Sequence, residues 1–161
     1  MQTRIQSFFH RISGACLLVL MIGLNSQAVQ AEVIEVQMLN NNPDNPRSRN
    51  LFLPRVVHIQ PGDVVKFIPV DFGHNAESID GLVPKDFPKF KSRLSQPFEQ
   101  AFEKEGVYAY KCTPHYAMGM VGIVVVGNTK PDIDQFKAKK MPRRAAKAFR
   151  KMFKELQVRD H

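Results

Sequence analysis

Apolar and polar positions alternate in short runs as far as residue 127, and the period then changes. Residues 33–38 (Val-Ile-Glu-Val-Gln-Met) read as a first strand. Residues 40–50, crowded with Asn, Pro, Asp, Arg and Ser, read as a long surface loop. Residues 52–59 look extended again, with His58 facing outward between Val57 and Ile59. Gln60-Pro61-Gly62-Asp63 then has Pro and Gly where a type II turn wants them. The β-branched run 64–70 predicts a strand, and 71–94, with two glycines, two prolines and several charges, predicts irregular chain with one short helix near Pro84. Residues 98–102 are expected to pair with 107–112, and 120–126, the most apolar run, to form a central strand. Short strands separated by turns every eight to twelve residues predict an all-β sandwich.

After Gly127, residues 131–139 and 142–158 read as two helices, each with Pro near its start. In the second, Ala146, Phe149, Phe153 and Leu156 form one apolar stripe, with basic residues opposite. A membrane-surface helix is the rival reading of that pattern. The stripe is modest, and an uncovered sheet face would need it, so packing on the β core is expected.

The first 31 residues lie outside this scheme. Arg4 and Arg11 precede an apolar stretch, 15–24, too short to span a bilayer, and Val29-Gln30-Ala31 suits signal peptidase. Residues 1–31 are expected to be a signal peptide cleaved after Ala31, and 32–161 a single domain exported to the periplasm. Cys16 belongs to the leader and lacks the context of a lipoprotein box. Cys112 is then the lone cysteine of an exported chain, which suggests protection by a metal. Removing Arg4 and Arg11 from 23 Lys and Arg leaves 21 against 15 Asp and Glu, or +6. That mild excess suits steering towards acidic partners. Export argues against nucleic acid as the target, and no stable membrane association is expected.

The candidate chemistry lies in Cys112-Thr113-Pro114-His115, with Met120 five residues later and His74 well upstream. One thiolate, two imidazoles and a thioether suit a trigonal His₂Cys copper site with a weak axial sulfur. A zinc site has no use for the thioether, and four ligands leave no open position for an enzyme's substrate. Met118 and Met120 have the same parity; Met120 adjoins the apolar strand and is the better axial candidate, with Met118 at the rim.

The segment 110–120, Tyr-Lys-Cys-Thr-Pro-His-Tyr-Ala-Met-Gly-Met, resembles the copper loop of the cupredoxins, and within them that of the pseudoazurin family. Phe67-Ile68-Pro69-Val70-Asp71 and Gly73-His74-Asn75-Ala76-Glu77-Ser78-Ile79 are similar to the segment that supplies that family's first histidine. The resemblance implies an eight-stranded Greek-key sandwich with two C-terminal helices, and type 1 copper held by His74, Cys112, His115 and Met120. It also implies that Asn75, with Thr113 and Pro114, ties the two ligand loops together near the sulfur.

The implied function is a monomeric periplasmic electron carrier, not an enzyme, cycling Cu(II) and Cu(I). Its partners would be transient acidic redox proteins, a copper nitrite reductase of denitrification or c-type cytochromes. Lys89, Lys91, Lys111, Lys139 and Lys140, with Met118, are the expected docking residues around His115. Two departures from the family fall near that face: Asn50 where a Met usually stands, and Phe72 where a Lys commonly precedes the Gly-His pair. A copper carrier or storage protein without fast redox cycling is the alternative, but it would favour Met-rich or His-rich tracts, and there are none.

Overall fold

The computed structural model describes residues 30–159, so nearly all of the expected leader, with Cys16, falls outside the described residues. Eight strands form two four-stranded sheets. The first sheet takes β1 (Val33–Asn42), β2 (Asn45–Leu53), β4 (Val64–Pro69) and β6 (Phe98–Ala101) in the order β2-β1-β4-β6. The second takes β3 (Val56–Ile59), β5 (Glu77–Ser78), β7 (Gly106–Lys111) and β8 (Val121–Val126) in the order β3-β8-β7-β5. Two helices follow, α1 (Ile133–Ala138) and α2 (Arg143–Arg159). The expected sandwich with two C-terminal helices is what the chain builds.

Period-two alternation assigns each strand residue to a layer. Along β7 and beyond its end, Tyr108, Tyr110 and Cys112 face the other sheet, where they meet Val36, Met38, Phe52 and Phe67. Val107 and Ala109 face the opposite way. In β8, Val124 and Val126 point between the sheets, whereas Val121, Ile123 and Val125 pack against Phe136, Ala145, Phe149, Met152 and Phe153 of the helices. Burial on both faces explains why β8 reads as an unbroken apolar run and not as an alternation. It also accounts for the apolar side of α2, which covers the outer face of the second sheet. Among the described residues no helix is long and apolar enough to cross a membrane.

Gly122 is required where it stands. It pairs with Tyr110 across β7 and β8, and a Cβ there would lie 2.3 Å from the Tyr110 ring. That ring packs edge-on against Phe52 and Phe67, with centroids 4.7 and 5.0 Å away. The aromatic cluster fills the sandwich directly beneath Cys112.

Several sequence expectations need correction. Residues 40–50 are a hairpin and not a loop: β1 and β2 run on past the core and join through a tight turn, with the Asp44 amide donating to Asn42 Oδ1 at 2.9 Å. Backbone pairing sustains these strands where no apolar alternation marks them. The run 52–59 is two strands, since the chain leaves β2 at Leu53 and enters the other sheet at Val56.

Residues 98–101 pair with β4, not with β7. Glu103, Lys104 and Glu105 link the two sheets, while Phe102 and Tyr108 pack against each other in the core between them. Near Pro84 there is a turn closed by the Phe87 amide on the Pro84 carbonyl, in place of a helix. Pro131 precedes the N-cap Asp132, and Ala145 takes the buried place expected of Ala146.

If α2 is an integral layer, Phe149→Ala will lower the unfolding free energy by about 3–5 kcal/mol in denaturant titrations. A loss below about 1 kcal/mol would mean that the helix only rests on the sheet.

Candidate metal centre

Cys112 follows β7 with inward parity, so its sulfur is fully buried at one end of the sandwich core. The chain then turns back through Thr113, Pro114 and a 3₁₀ turn, Tyr116–Met118, that ends on Gly119 at φ 90°. This fold-back brings the Met120 carbonyl onto the Cys112 amide at 3.0 Å and places Met120, also fully buried, in the same core. Met118 stays half exposed at the rim. Of the two methionines, the inward one adjoins the cysteine.

His74 arrives from the irregular segment after β4, 38 residues before Cys112, and is completely buried. Its Nδ1 lies 3.7 Å from Cys112 Sγ and 3.1 Å from His115 Nδ1, and the third side of the triangle, Sγ to His115 Nδ1, is 3.4 Å. A point equidistant from all three atoms stands about 2 Å from each, which is metal-to-ligand reach for nitrogen and slightly short for sulfur.

The surroundings prepare these donors. His74 Nε2 lies 3.0 Å from Asn40 Oδ1, so the ring carries its proton on that side and leaves Nδ1 as a bare lone pair. The Asn40 amide in turn donates to Asp71 Oδ2 at 2.6 Å. Burial, followed by the neighbouring His115, lowers the His74 pKa against the opposing pull of Asp71, and keeps the imidazole neutral for ligation. Burial likewise raises the Cys112 thiol, while the backbone N–H groups of Asn75 and His115, which point at the sulfur, work the other way. A buried sulfur that accepts two amide hydrogen bonds yet resists ionisation by itself is well suited to meet a cation.

Asn75 joins the loops. The Thr113 amide donates to Asn75 Oδ1 at 2.8 Å, and Asn75 Nδ2 donates to Thr113 Oγ1 at 3.2 Å. The Thr113 hydroxyl passes the chain on to Glu77 Oε2 at 2.6 Å. Ser95 braces the other side, its amide donating to the His74 carbonyl at 2.8 Å and its hydroxyl accepting from the Gly73 amide at 2.9 Å. Pro114 is exposed on the outer surface of the copper-loop turn.

The donor set, the triangle and the core-facing thioether fit a type 1 copper ion. Residues 45–127 match the profile of the copper binding proteins of the plastocyanin/azurin family. The chain is 36% identical over 149 residues to a pseudoazurin of Methylorubrum extorquens, covering 92% of this chain and 98% of that one. It is also 36% identical over 138 residues to a pseudoazurin of Paracoccus pantotrophus, covering 86% and 91%.

The crystal structure of pseudoazurin from Methylobacterium extorquens AM1 superposes with a TM-score of 0.70 at 37% identity, over 78% of this chain and 99% of that one. A pseudoazurin from Hyphomicrobium denitrificans gives 0.69 at 37%, over 76% and 97%. The chain belongs to the pseudoazurin family. Its cofactor is therefore a type 1 copper ion, for which His74, Cys112, His115 and Met120 form the site, and the family's work is electron transfer.

The expected docking lysines are distributed unevenly. Lys91 and Lys111 both reach Glu77, at 3.1 and 3.4 Å, and Lys111 also sits over the Tyr116 ring. Lys89 pairs with Asp80 at 2.8 Å. Lys139 places its ammonium beside Gly81, and Lys140 lines a cleft between the two helices. Sequence reasoning missed Asn40, Asp71, Glu77 and Ser95. Asn40 was hidden because its Asn-rich surroundings read as loop.

Asn40→Ala should weaken copper binding by about 10- to 100-fold, read by competition with a chelator, because the His74 ring loses its orienting partner. Wild-type affinity in this variant would remove that role. Glu77 yields a pH prediction. Burial raises its carboxyl, but hydrogen bonds from Thr113 and Lys91 and the charges of Lys111 and Lys91 outweigh it and leave the pKa below the ordinary carboxylate value. The resulting stability is fully present above the unfolded-state pKa and is lost as pH falls through the folded one. Glu77→Gln should therefore flatten the acid side of the stability curve, and an unchanged slope would contradict the network.

Proposed function

We propose that this electron carrier works in the periplasm as a one-electron donor to an acidic reductase, a copper nitrite reductase being the type of partner that fits. The supporting observation is that His115 alone among the four ligands reaches the surface; His74, Cys112 and Met120 are sealed from water. The ring edge of His115 is then the route by which the electron leaves. When bound, the copper ion supplies a one-electron couple.

The protein residues hold the ligand positions and keep solvent out. The Asn75–Thr113 bridge and the Ser95 brace resist displacement of either ligand loop, which favours fast transfer because little has to move. Pro114, Ala117 and Met118 are exposed on the loop around His115, and Phe72, two residues before His74, is 88% exposed. These apolar groups suit a contact that sheds water briefly and then separates. Positive charge close to this face would speed encounter with an acidic surface more than it tightens the complex. The carrier has no need of an enzyme's open coordination position.

Addition of Cu(II) should produce an intense visible thiolate-to-copper band, lost in Cys112→Ser; a colourless copper-loaded wild type would defeat the redox reading. Electron exchange with an acidic partner should slow as ionic strength rises. Rates that ignore salt would remove electrostatic steering.

A further inference from the structure

Beside the copper loop stands a group of three arginines, apart from the lysines that pair with Glu77 and Asp80. Arg47 and Arg49 alternate along β2 and so share one face of the hairpin, with Asn41 opposite Arg49 in register. Arg144 enters from the first turn of α2, which holds no acidic residue. That turn is pressed against the copper loop, since a Cβ on Gly119 would lie 3.0 Å from the Arg144 carbonyl oxygen. The three arginines, with Asn41, Asn50 and Met118, line an open cleft of about 540 Å³. Among the described residues no carboxylate forms an ion pair with any of the three. Lys89, Lys91 and Lys111, by contrast, are matched by Asp80 and Glu77.

We propose that this arginine cleft receives carboxylate groups of the acidic redox partner and sets its orientation over His115. The proposal rests on the electron-carrier reading above. Guanidinium groups bind carboxylates through two parallel N–H···O bonds, which fix geometry as well as attract. Met118 joins the cleft to the electron's exit: its amide donates to the His115 carbonyl at 3.0 Å, and its sulfur accepts from Asn50 Nδ2 at 3.2 Å. A partner seated on the arginines therefore overlies the 3₁₀ turn that ends the His115 segment. The hairpin tip extends past the inter-sheet core, so its arginines are free to serve a contact outside the molecule.

The test compares two triple variants of the copper-loaded chain, Arg47→Gln/Arg49→Gln/Arg144→Gln and Lys89→Gln/Lys91→Gln/Lys111→Gln. Five of the six side chains are exposed and Lys111 is half-buried, and the visible copper band of each variant reports an intact site. A c-type cytochrome of net negative charge serves as partner in stopped-flow electron exchange. The arginine variant should lower the second-order rate at low salt by about tenfold and flatten its salt dependence, while the lysine variant changes it less than about twofold.

An equal or larger effect of the lysine variant would overturn the proposal. So would an unchanged rate in the arginine variant; phosphate-induced shifts in the NMR signals of the three arginines in wild type would then mark the cleft as a small-oxyanion site. In either case fast exchange by a blue wild type leaves the carrier reading standing. A wild type with neither colour nor exchange would end both.

Discussion

Two segments far apart in sequence meet through the side chain of Asn75. Its carboxamide accepts from the Thr113 amide at 2.8 Å and donates to the Thr113 hydroxyl, while its own backbone N–H points at the Cys112 sulfur. His74 is the next residue back and Cys112 is the residue before Thr113, so this one bridge sets the separation between the first imidazole and the thiol. Asn75 is buried, so breaking these bonds would leave its carboxamide without a partner away from water, a costly change. The remaining features either support this bridge or make use of it.

Support comes from both layers of the sandwich. The aromatic cluster of Phe52, Phe67 and Tyr110 holds the end of β7 in place, and Gly122 leaves the space that the Tyr110 ring needs. The second sheet is covered by helices on its outer face, so β7 and β8 are packed from two sides and the loop between them starts and ends on rigid strands. A short loop on such supports cannot wander. Glu77 extends the same network to the surface through Thr113, Lys91 and Lys111, which links the ligand region to the charged rim.

Charge around the copper loop is asymmetric. On the Glu77 side lysines pair with carboxylates; on the hairpin side three arginines line an open cleft, and among the described residues no carboxylate forms an ion pair with them. Asn40 stands between the two worlds, lining the arginine cleft while its Oδ1 holds the ring of His74. Contacts at the surface and orientation of a buried ligand thus share one residue.

Local sequence determined the ligand loop, the apolar strand after it and the helical tail. Cys112, His115 and Met120 lie within nine residues, and their spacing alone defines a soft donor set around a turn; α2 reveals itself by its period. His74 was identified by residue type and by likeness to a family, since no local pattern ties it to a cysteine 38 residues away. Tertiary structure decided what depends on distant partners. The hairpin at 40–50 has no apolar alternation because its outer half covers no core, so backbone pairing makes it a strand where composition suggests a loop. The 98–101 strand belongs with β4 because burial of Phe98 and Phe102 is satisfied there, and adjacency in sequence to β7 does not decide pairing. The same holds for Asn40, Asp71 and Ser95: hydrogen bonds act over about 3 Å of space, and a sequence records no distances.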